Sequence, residues 1–280
     1  MRKTIAFIGV GNMASAIING VTSGSCGAVT MSNMVLYDKY SEKTLQYKAM
    51  GATVVSSERE AVEQADCIFL CAKPQNFPEI LPCFSDIPNV CNKLFVTIAA
   101  GIKMQSISDA AGGAPVIRVL PNTPIFIGKG VSAICKTQNV CDEDFKFVCN
   151  IFSSSSSILP IDEDQMNRII GVTSSSPAYV FLFIKSIYEG ALEQGLIKTD
   201  DNVAGIDENL IINSICDTLI GAAELVKSSS KSLDEQIQTV ASKGGTTEQA
   251  LLELERYKFS EGIVSAMIKC TQKADELGKK

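Results

Sequence analysis

The first half of the chain alternates short β-rich segments with segments of helical periodicity, and this alternation constrains the fold more than any other feature. The β-rich segments are continuous apolar runs: "TIAFIG" (4–9), "MVLYD" (34–38), "CIFLCA" (67–72), "LFVTIA" (94–99) and "PVIRVL" (115–120). Helical patterns lie between and after them, at about 12–22, 41–50, 58–64, 76–84 and 104–111. Strands that are apolar along their whole length need cover on both faces, and the helices of a parallel sheet provide it. The sequence therefore predicts a doubly wound parallel α/β domain.

After about residue 160 the β-rich runs disappear. Amphipathic helical patterns follow at about 163–171, 176–195, 204–228, 232–241, 247–256 and 259–276. In "NLIINSICDTLIGAAELV" the apolar positions recur every three or four residues, as on the buried face of a helix. A chain of 280 residues is also longer than one typical domain. We therefore expect an α/β domain over residues 1–160 and an all-helical domain over residues 161–280.

Five serines at 153–157 lie between a helical pattern at 142–152 and the short apolar stretch "ILPI". One interpretation is a flexible linker. The other is the end of a helix that leads into a last strand.

Composition argues against several classes of protein. The formal net charge is −6, which disfavours a nucleic-acid partner because phosphate binding requires a basic face. No apolar run approaches the roughly 18 to 20 residues that span a bilayer, so no membrane partner is expected. The start "MRKTIAFIGVGNM" lacks the features of a cleaved signal peptide and is expected to form a buried strand. A soluble cytoplasmic protein is the expectation.

The chain has ten cysteines and no histidine. The cysteines are scattered, several lie in apolar runs, and none forms a CxxC pair, so we expect reduced, mostly buried thiols and no metal site. The absence of histidine removes the commonest general acid–base and any Ser-His catalytic pair.

The segment "GVGNMA" at 9–14 follows a strand and opens a helix, which gives a G-x-G-x-x-A pattern at the first strand-to-helix turn. Gly9 permits the tight turn, Gly11 lets the backbone approach a pyrophosphate, and Ala14 permits close packing of helix on strand. The helix N-terminus attracts the phosphates. The pattern predicts a dinucleotide site.

The end of the second strand, "LYDKYSEK", bears on the choice of nicotinamide cofactor. Asp38 is placed to accept a hydrogen bond from a ribose 2′-hydroxyl, which favours NADH. Lys39 and Lys43 could instead neutralise the 2′-phosphate of NADPH. A solvated surface aspartate is the alternative for Asp38.

Three further segments end strands at the carboxyl edge of the sheet, where ligands bind in open α/β folds: "CAKPQN" (71–76), "AAG" (99–101) and "RVLPNTP" (118–124). Lys73 is either a ligand contact or a solvated loop residue. Asn122 and Thr123 either offer hydrogen bonds to a ligand or belong to a structural turn.

Taken together, "IGVGNMA", "AKPQN", "IAAG", "RVLPNTP", "GVTSSSPAYVFLFI" and "ASKGGTTEQALLELE" occur in an order and at separations that resemble the pyrroline-5-carboxylate reductases along essentially the whole chain. The resemblance implies the last step of proline biosynthesis, in which NADPH or NADH reduces 1-pyrroline-5-carboxylate to L-proline. It implies a Rossmann-type domain followed by a helical dimerisation domain of the 6-phosphogluconate dehydrogenase-like type. It also implies a homodimer that assembles further, for example into a decamer.

The resemblance also assigns site residues by position. It implies that the cofactor contacts are Gly9, Gly11, Asn12, Met13, Ala72, Lys73, Pro74, Ala99, Ala100 and Gly101, to which the position at the end of the second strand adds Asp38. It implies that the substrate contacts are Asn122, Ser242, Gly244, Gly245, Thr246 and Thr247. Many family members have proline where this chain has Lys243 and glycine where it has Ser174, and neither change removes a group that the reaction needs.

The segment "SKGGTTEQA" at 242–250 can be interpreted physically as a carboxylate receptor. Thr246 and Gln249 have the spacing of a capping box, which predicts a helix that begins at Thr247. The glycines ahead of it let a ligand approach the free N–H groups of the first turn, and the hydroxyls add donors.

The protonated C=N of a cyclic imine is already an electrophile, so hydride transfer needs positioning more than a strong acid. Thr247 is the candidate for a hydrogen bond to the ring nitrogen and is the predicted catalytic residue. One alternative is a β-hydroxyacid dehydrogenase with Lys185 as acid or base, although Tyr188 and Glu189 stand where an asparagine is expected. The other is a regulatory protein that senses NAD(P)H without turnover.

Overall fold

The computed structural model describes residues 3–23, 29–198 and 204–278. The strands are β1 (Ile5–Ile8), β2 (Met34–Tyr37), β3 (Thr53–Val54), β4 (Cys67–Leu70), β5 (Leu94–Thr97), β6 (Val116–Leu120), β7 (Gly130–Lys136) and β8 (Ser156–Pro160). The α-helices are α1 (Asn12–Ser23), α2 (Leu45–Ala49), α3 (Glu58–Gln64), α4 (Phe77–Ile80), α5 (Met104–Ala110), α6 (Asp142–Ser153), α7 (Ser176–Glu193), α8 (Glu208–Ser228), α9 (Leu233–Val240), α10 (Thr246–Arg256) and α11 (Phe259–Leu277).

The eight strands form one sheet in the order β3-β2-β1-β4-β5-β6-β7-β8. All neighbouring pairs are parallel except β6 with β7. The five predicted strands are all present, and the order reverses on either side of β1, as in a doubly wound fold. Strands β6 and β7 are antiparallel because only residues 121–129 connect them, too few for the crossover that a parallel pair needs.

Each face of the sheet carries its own apolar core. Ile5 and Phe7 of β1 point into one cluster, and Ala6 and Ile8 point into the other. All four are essentially inaccessible to solvent. Strands buried on both faces are what the continuous apolar runs predicted, so the predicted fold class is confirmed.

The serine run contains the end of a helix, a tight turn at Ser154 and Ser155, and the start of a strand, rather than a linker. Helix α6 ends at Ser153 and β8 begins at Ser156. The buried hydroxyl of Ser156 lies 2.8 Å from that of Ser132 on β7 and donates to the carbonyl of Phe152 at 2.9 Å. These hydrogen bonds satisfy the buried serine. The linker interpretation is therefore wrong.

The chain divides into two compact units. One consists of Met1–Pro177 with Met267–Lys280 and contains the sheet, and the other is Ala178–Ala266. Helices α8, α9 and α10 lie in the second unit. The division into domains at residues 160 and 161 falls at the end of β8 and stays a prediction.

The helices predicted at 163–171 and 204–228 differ from the expectation. The segment 163–171 forms a 3-10 turn at Glu163–Gln165 and leads into a π-helical turn at Ile170–Ser174, instead of one α-helix. Helix α8 begins at Glu208, later than residue 204, because Asp207 caps it by accepting from the N–H groups of Asn209 and Leu210 at 3.0 and 3.2 Å.

The helical segments Ile170–Glu193 and Glu208–Ser228 are long and apolar enough to cross a membrane by length and composition. This corrects the expectation that no segment meets that criterion. The same criterion also selects helices of soluble proteins. Large apolar side chains are exposed on the described helices of the second unit, among them Phe181, Leu182, Ile220 and Leu225.

Candidate active site

The turn between β1 and α1 is built around two glycines with different requirements. Gly9 has φ +91°, and a Cβ there would lie 2.9 Å from the backbone nitrogen of Ala72. A Cβ at Gly11 would meet nothing within 4 Å. The absence of a side chain is therefore needed at Gly9 for the fold, whereas at Gly11 it leaves space for a ligand.

Helix α1 presents its N-terminus at this turn. The first hydrogen bond of the helical ladder joins the N–H of Ser15 to the carbonyl of Gly11 at 2.9 Å. The N–H groups of Asn12 and Met13 have no partner in such a ladder, and the first turn contains no acidic residue. This end of α1 can therefore bind an anion such as a pyrophosphate.

A cavity of about 400 Å³ lies beside the glycine turn. The predicted cofactor residues that line it are Gly9, Gly11, Asp38, Ala72 and Lys73. Asn12 is exposed at the start of α1, Met13 packs partly buried against the core, and Pro74 opens a 3-10 turn. The structure thus brings the ends of β1, β2 and β4 to one site, as the carboxyl edge of a parallel sheet predicts.

Asp38 is held firmly in this cavity, with 7% of its side chain exposed. Its Oδ2 accepts from the N–H of Val10 at 2.7 Å, and its Oδ1 accepts from the N–H of Tyr40 at 2.9 Å. The ammonium of Lys43 lies 3.4 Å from Oδ1 and 4.7 Å from the centre of the Tyr40 ring. Asp38 is therefore not the solvated surface carboxylate of the alternative interpretation.

The other charges of the cavity are balanced. The cavity is lined by three lysines, Lys39, Lys43 and Lys73, and by three acidic residues, Asp38, Glu58 and Glu79. This balance gives no surplus of positive charge for a 2′-phosphate, yet it supplies lysines that could pair with one. The charge of the cavity therefore does not favour one nicotinamide cofactor over the other.

Two groups in the cavity resist ionisation. Burial raises the pKa of the Cys71 thiol. Burial, together with the carboxylate of Glu58, raises the pKa of the Tyr37 phenol. Both groups are uncharged near neutral pH, so neither adds charge to the site.

The segment Ala99–Gly101 follows β5 but does not line this cavity. The N–H of Ala99 donates to Thr97 Oγ1 at 3.2 Å, and Gly101 has φ +82°. Gly101 lines a second cavity, of about 550 Å³, together with the buried Arg118. This second cavity is larger than the one beside the glycine turn.

Asn122 is 7% exposed, and its amide is engaged within the protein. The nitrogen Nδ2 donates to the carbonyl of Thr173 at 2.9 Å, and Oδ1 accepts from the N–H of Val131 at 2.8 Å. The amide nitrogen carries a second N–H besides the one that the Thr173 carbonyl accepts. These contacts give Asn122 a structural role that its motif alone did not reveal.

The loop Ser242–Thr247 differs from its prediction in detail. Helix α10 begins at Thr246 with Gly245 as the N-cap, and no side chain caps it. The predicted capping box of Thr246 and Gln249 is therefore wrong, as is the predicted start at Thr247. Instead, the carboxylate of Glu248 reaches back and accepts from the N–H of Gly244 at 2.7 Å.

The glycines of this loop are needed for its tight path. Gly244 has φ +74°, and a Cβ at Gly245 would lie 2.7 Å from Ser242 Oγ and 2.9 Å from the Ser242 carbonyl oxygen. The Gly245 N–H donates to that carbonyl at 2.9 Å. The N–H groups of the first helical residues, Thr246 and Thr247, follow directly and have no partner in the helical ladder. The loop thus concentrates N–H and hydroxyl donors, which is what a carboxylate requires.

Sequence reasoning missed Glu248 because its role depends on the path of the backbone. An acidic residue in the first turn of a helix was the available signal. It also missed the contacts of Arg118, which involve residues far away in the sequence.

The side chain of Lys185, the residue of the dehydrogenase alternative, is 65% exposed and lies 2.7 Å from Glu189 on the same helix. An exposed, paired lysine gives no support to a catalytic role there. Among residues 3–23, 29–198 and 204–278, no group of three or more Cys, Asp and Glu side chains could hold a metal ion.

Comparison with known proteins identifies the family. Residues 163–277 match the family model for pyrroline-5-carboxylate reductase dimerisation, and residues 4–101 match the model for NADP oxidoreductase coenzyme F420-dependent. Pyrroline-5-carboxylate reductase of Escherichia coli is 31% identical over 100% of both chains, and that of Pisum sativum is 28% identical over 98% of this chain and 96% of its own.

A solved structure of a pyrroline carboxylate reductase is also similar to this chain. The crystal structure of Plasmodium falciparum pyrroline carboxylate reductase with NADP bound has a TM-score of 0.85 and 26% identity, covering 99% of this chain and 98% of its own. Because the similarity extends over the glycine turn, the strand ends and the loop at 242–247, the chain belongs to the pyrroline-5-carboxylate reductase family.

Proposed function

We propose that the chain carries out the reaction of its family, the reduction of 1-pyrroline-5-carboxylate to L-proline by hydride transfer from NAD(P)H. The observation that supports this most directly is the full-length identity of 31% to the Escherichia coli reductase. The turn at Gly9 and Gly11 and the loop at Ser242–Thr247 supply the two kinds of binding surface that the reaction needs.

The cofactor binds at the carboxyl edge of the sheet. Its pyrophosphate lies against Gly11 and the N–H groups of Asn12 and Met13, and its adenosine ribose faces Asp38. Lys73 and the adjoining Ala72 and Pro74 border the bound dinucleotide. The nicotinamide lies along Ala99, Ala100 and Gly101. Relatives include a reductase solved with NADP, and both NADPH and NADH fit the balanced charge of the cavity.

The substrate carboxylate is bound by the loop Ser242–Thr247. Free N–H groups at the start of α10 and the hydroxyls of Ser242, Thr246 and Thr247 donate to it, and Gly244 and Gly245 allow close approach. The partial positive charge of a helix N-terminus strengthens these hydrogen bonds. Asn122 offers its remaining amide N–H.

The chemical step requires little more than the correct positioning of the cofactor and the substrate. The iminium carbon accepts the hydride, and the electron pair of the C=N bond becomes the lone pair of the product amine, so no strong acid is needed. Thr247 holds the ring nitrogen by a hydrogen bond. This division of roles suits a chain without histidine.

We further propose that the functional form is a homo-oligomer in the cytoplasm. The exposed apolar side chains of α7 and α8 are of the kind that a partner covers, and residues 163–277 match a dimerisation model. A homodimer, assembled into a larger ring such as a decamer, is the expected form. Mass photometry of the purified protein measures it directly.

Turnover is the decisive test of the activity. The purified protein is expected to oxidise NADPH or NADH only after pyrroline-5-carboxylate is added, with L-proline as product. Gly11→Ala serves as the matched control, because it changes only the space for the cofactor. Oxidation of a 3-hydroxyacid with NAD(P)⁺ would favour the dehydrogenase alternative. Binding of NADPH without turnover would favour the sensor.

A further inference from the structure

A buried arginine, Arg118, lines the same cavity as Gly101, the last residue of the segment Ala99–Gly101 that follows β5. Arg118 is on β6, where its backbone is in register with Thr97 of β5, and its side chain is 3% exposed. Its Nη2 donates to Asn167 Oδ1 at 2.8 Å, and its Nη1 lies 3.7 Å from Glu163 Oε1. Its Nε has no hydrogen-bond partner among the residues that the structure describes. Burial lowers the pKa of Arg118, an effect that the Glu163 carboxylate opposes.

One partner of Arg118 contacts the start of α5, and the other contacts the end of α11. Through Oε1, Glu163 accepts from the N–H of Met104, the first residue of α5, at 2.7 Å. Asn167 donates from Nδ2 to Asp275 Oδ1 at 2.8 Å, and Asp275 lies in the last turn of α11. The arginine thus connects the start of α5 to the end of α11.

The end of α11 packs directly against Gly101. A Cβ on Gly101 would lie 2.9 Å from the carbonyl oxygen of Ala274 and 3.0 Å from the nitrogen of Gly278. Both of these atoms belong to the backbone, so neither can rotate away as the end of a side chain can. At its other end the segment is fixed by the hydrogen bond from Ala99 to Thr97 Oγ1.

A buried guanidinium that is only partly paired contributes little to the stability of a fold, because its desolvation costs free energy. Apolar side chains of similar volume are often as stabilising or more so, whereas a hydrogen-bonded network specifies one geometry. The geometry specified here is that of the segment Ala99–Gly101.

We propose that Arg118, acting through Asn167 and Glu163, is a positioning residue that fixes the segment Ala99–Gly101 for the nicotinamide ring. This inference rests on the proposed function, in which the nicotinamide lies along that segment. Arg118 itself does not touch the reacting atoms. Because hydride transfer is sensitive to small displacements, a loosened segment lowers kcat more than it weakens binding of the whole dinucleotide.

Two outer members of the network allow a test that spares the buried arginine. Asn167→Ala removes both side-chain hydrogen bonds, whereas Asp275→Asn keeps an oxygen that accepts from Asn167. Asn167→Ala is expected to lower kcat about 5- to 10-fold, to change the nicotinamide fluorescence of bound NADPH, and to change the Kd for NADPH less than about 2-fold. Asp275→Asn is expected to keep at least half of the wild-type kcat.

Lys273→Ala is the matched control on the same turn of α11. Lys273 is exposed and pairs only with Glu276 among the described residues, at 2.9 Å. Its replacement is expected to leave all three readouts unchanged. All measurements are made well below the melting temperature of each variant.

The inference is overturned if Asn167→Ala keeps the wild-type kcat and nicotinamide fluorescence, or if Asp275→Asn loses as much activity as Asn167→Ala. The failure of the proposed cofactor site is a separate result. In that case Gly11→Ala would leave the Kd for NADPH unchanged, whatever the outcome at Asn167.

Discussion

The Asp38 carboxylate accepts a hydrogen bond from the backbone N–H of Val10 at 2.7 Å, so the acidic residue at the end of β2 holds the glycine turn at the end of β1. The same carboxylate accepts from Tyr40 and lies 3.4 Å from the Lys43 ammonium. Asp38 therefore has two possible effects on the cofactor. It shapes the pyrophosphate turn, and it presents negative charge to the ribose.

Replacing Asp38 by asparagine removes the charge and leaves one acceptor oxygen, which can still accept from the N–H of Val10, while the N–H of Tyr40 loses its acceptor. We expect the ratio of kcat/KM for NADH to kcat/KM for NADPH to fall about 10-fold, since a hydrogen bond between a 2′-hydroxyl and a charged group contributes about 1.5 to 3 kcal/mol. Steady-state kinetics with both cofactors measures the ratio.

The exposed Asp142 at the start of α6 gives a matched Asp-to-Asn control, whose cofactor ratio should stay at the wild-type value. If the ratio for Asp38→Asn also stays there, Asp38 acts on the turn alone and does not discriminate between the cofactors.

The two glycines of the first turn provide a second prediction. Gly9→Ala places a Cβ 2.9 Å from the Ala72 nitrogen at a φ of +91°, so the melting temperature should fall. The Cβ of Gly11→Ala meets no described residue within 4 Å, so the melting temperature should hold while the Kd for NADPH rises about 10-fold. Differential scanning fluorimetry and NADPH fluorescence titration check the pair. If Gly11→Ala binds NADPH with the wild-type Kd, the pyrophosphate does not bind at this turn.

The doubly wound sheet could be predicted because each of the five predicted strands is a continuous apolar run in the sequence. Strand β3 escaped prediction because Thr53–Val54 is only two residues long and forms through its pairing with β2. Strand β7 has a clear apolar pattern in "GVSAICK", but its antiparallel direction depends on the length of the connection from β6. Short strands and strand direction are therefore decided by the tertiary structure rather than by local sequence.

The candidate site likewise contains parts that could be predicted from the sequence and parts that could not. The glycine turn and the loop at 242–247 carry local patterns, so their positions could be predicted from the sequence. The network around Arg118 could not, because its hydrogen bonds join residues 49 and 108 positions apart. The second role of Asp38, at Val10, spans 28 positions and has no local pattern either.

The reactivity of the cysteines gives a third prediction. Burial raises the pKa of Cys135 to about 12, and it also raises the pKa of Cys67, whereas Cys91 and Cys141 are exposed. At pH 8 the thiolate fraction of Cys135 is on the order of one in ten thousand. Iodoacetamide should therefore label Cys91 and Cys141 in the native protein.

Peptide mass spectrometry should detect label on Cys67 and Cys135 only after denaturation. Rapid labelling of Cys67 in the native protein would contradict its burial in the apolar core on one face of the sheet.

The substrate loop can be tested through Gly245. Gly245→Ala places a Cβ 2.9 Å from the Ser242 carbonyl oxygen, which belongs to the backbone and cannot rotate away. The loop must open, so kcat/KM for pyrroline-5-carboxylate should fall at least about 10-fold while the Kd for NADPH is retained. Gly262→Ala is the matched control, because a Cβ there meets nothing within 4 Å and alanine favours the helix. Equal activity of the two variants would argue against a substrate role for the loop.

Thr247 provides the sharpest test of the carboxylate and imine contacts. It is the second residue of α10, it does not cap the helix, and its side chain makes no hydrogen bond within the part of the chain that the structure describes. Thr247→Val keeps the shape and β-branching of threonine, so the free energy of unfolding should change by less than about 0.5 kcal/mol. If the hydroxyl binds substrate, losing its hydrogen bond to a charged group costs about 1.5 to 3 kcal/mol, which is roughly a 10- to 150-fold decrease in kcat/KM.

Thr239→Val, an exposed position on α9, controls for the loss of a threonine hydroxyl in the same unit. Thr247→Ser separates the hydroxyl from the methyl group, and it should retain most of the activity because the donor remains. A decrease shared by Thr247→Val and Thr247→Ser would point to packing of the methyl group instead. Wild-type kcat/KM in a stable Thr247→Val variant would place both the carboxylate and the ring nitrogen elsewhere. The unpaired hydroxyl at the start of α10 would then have no part in the reaction.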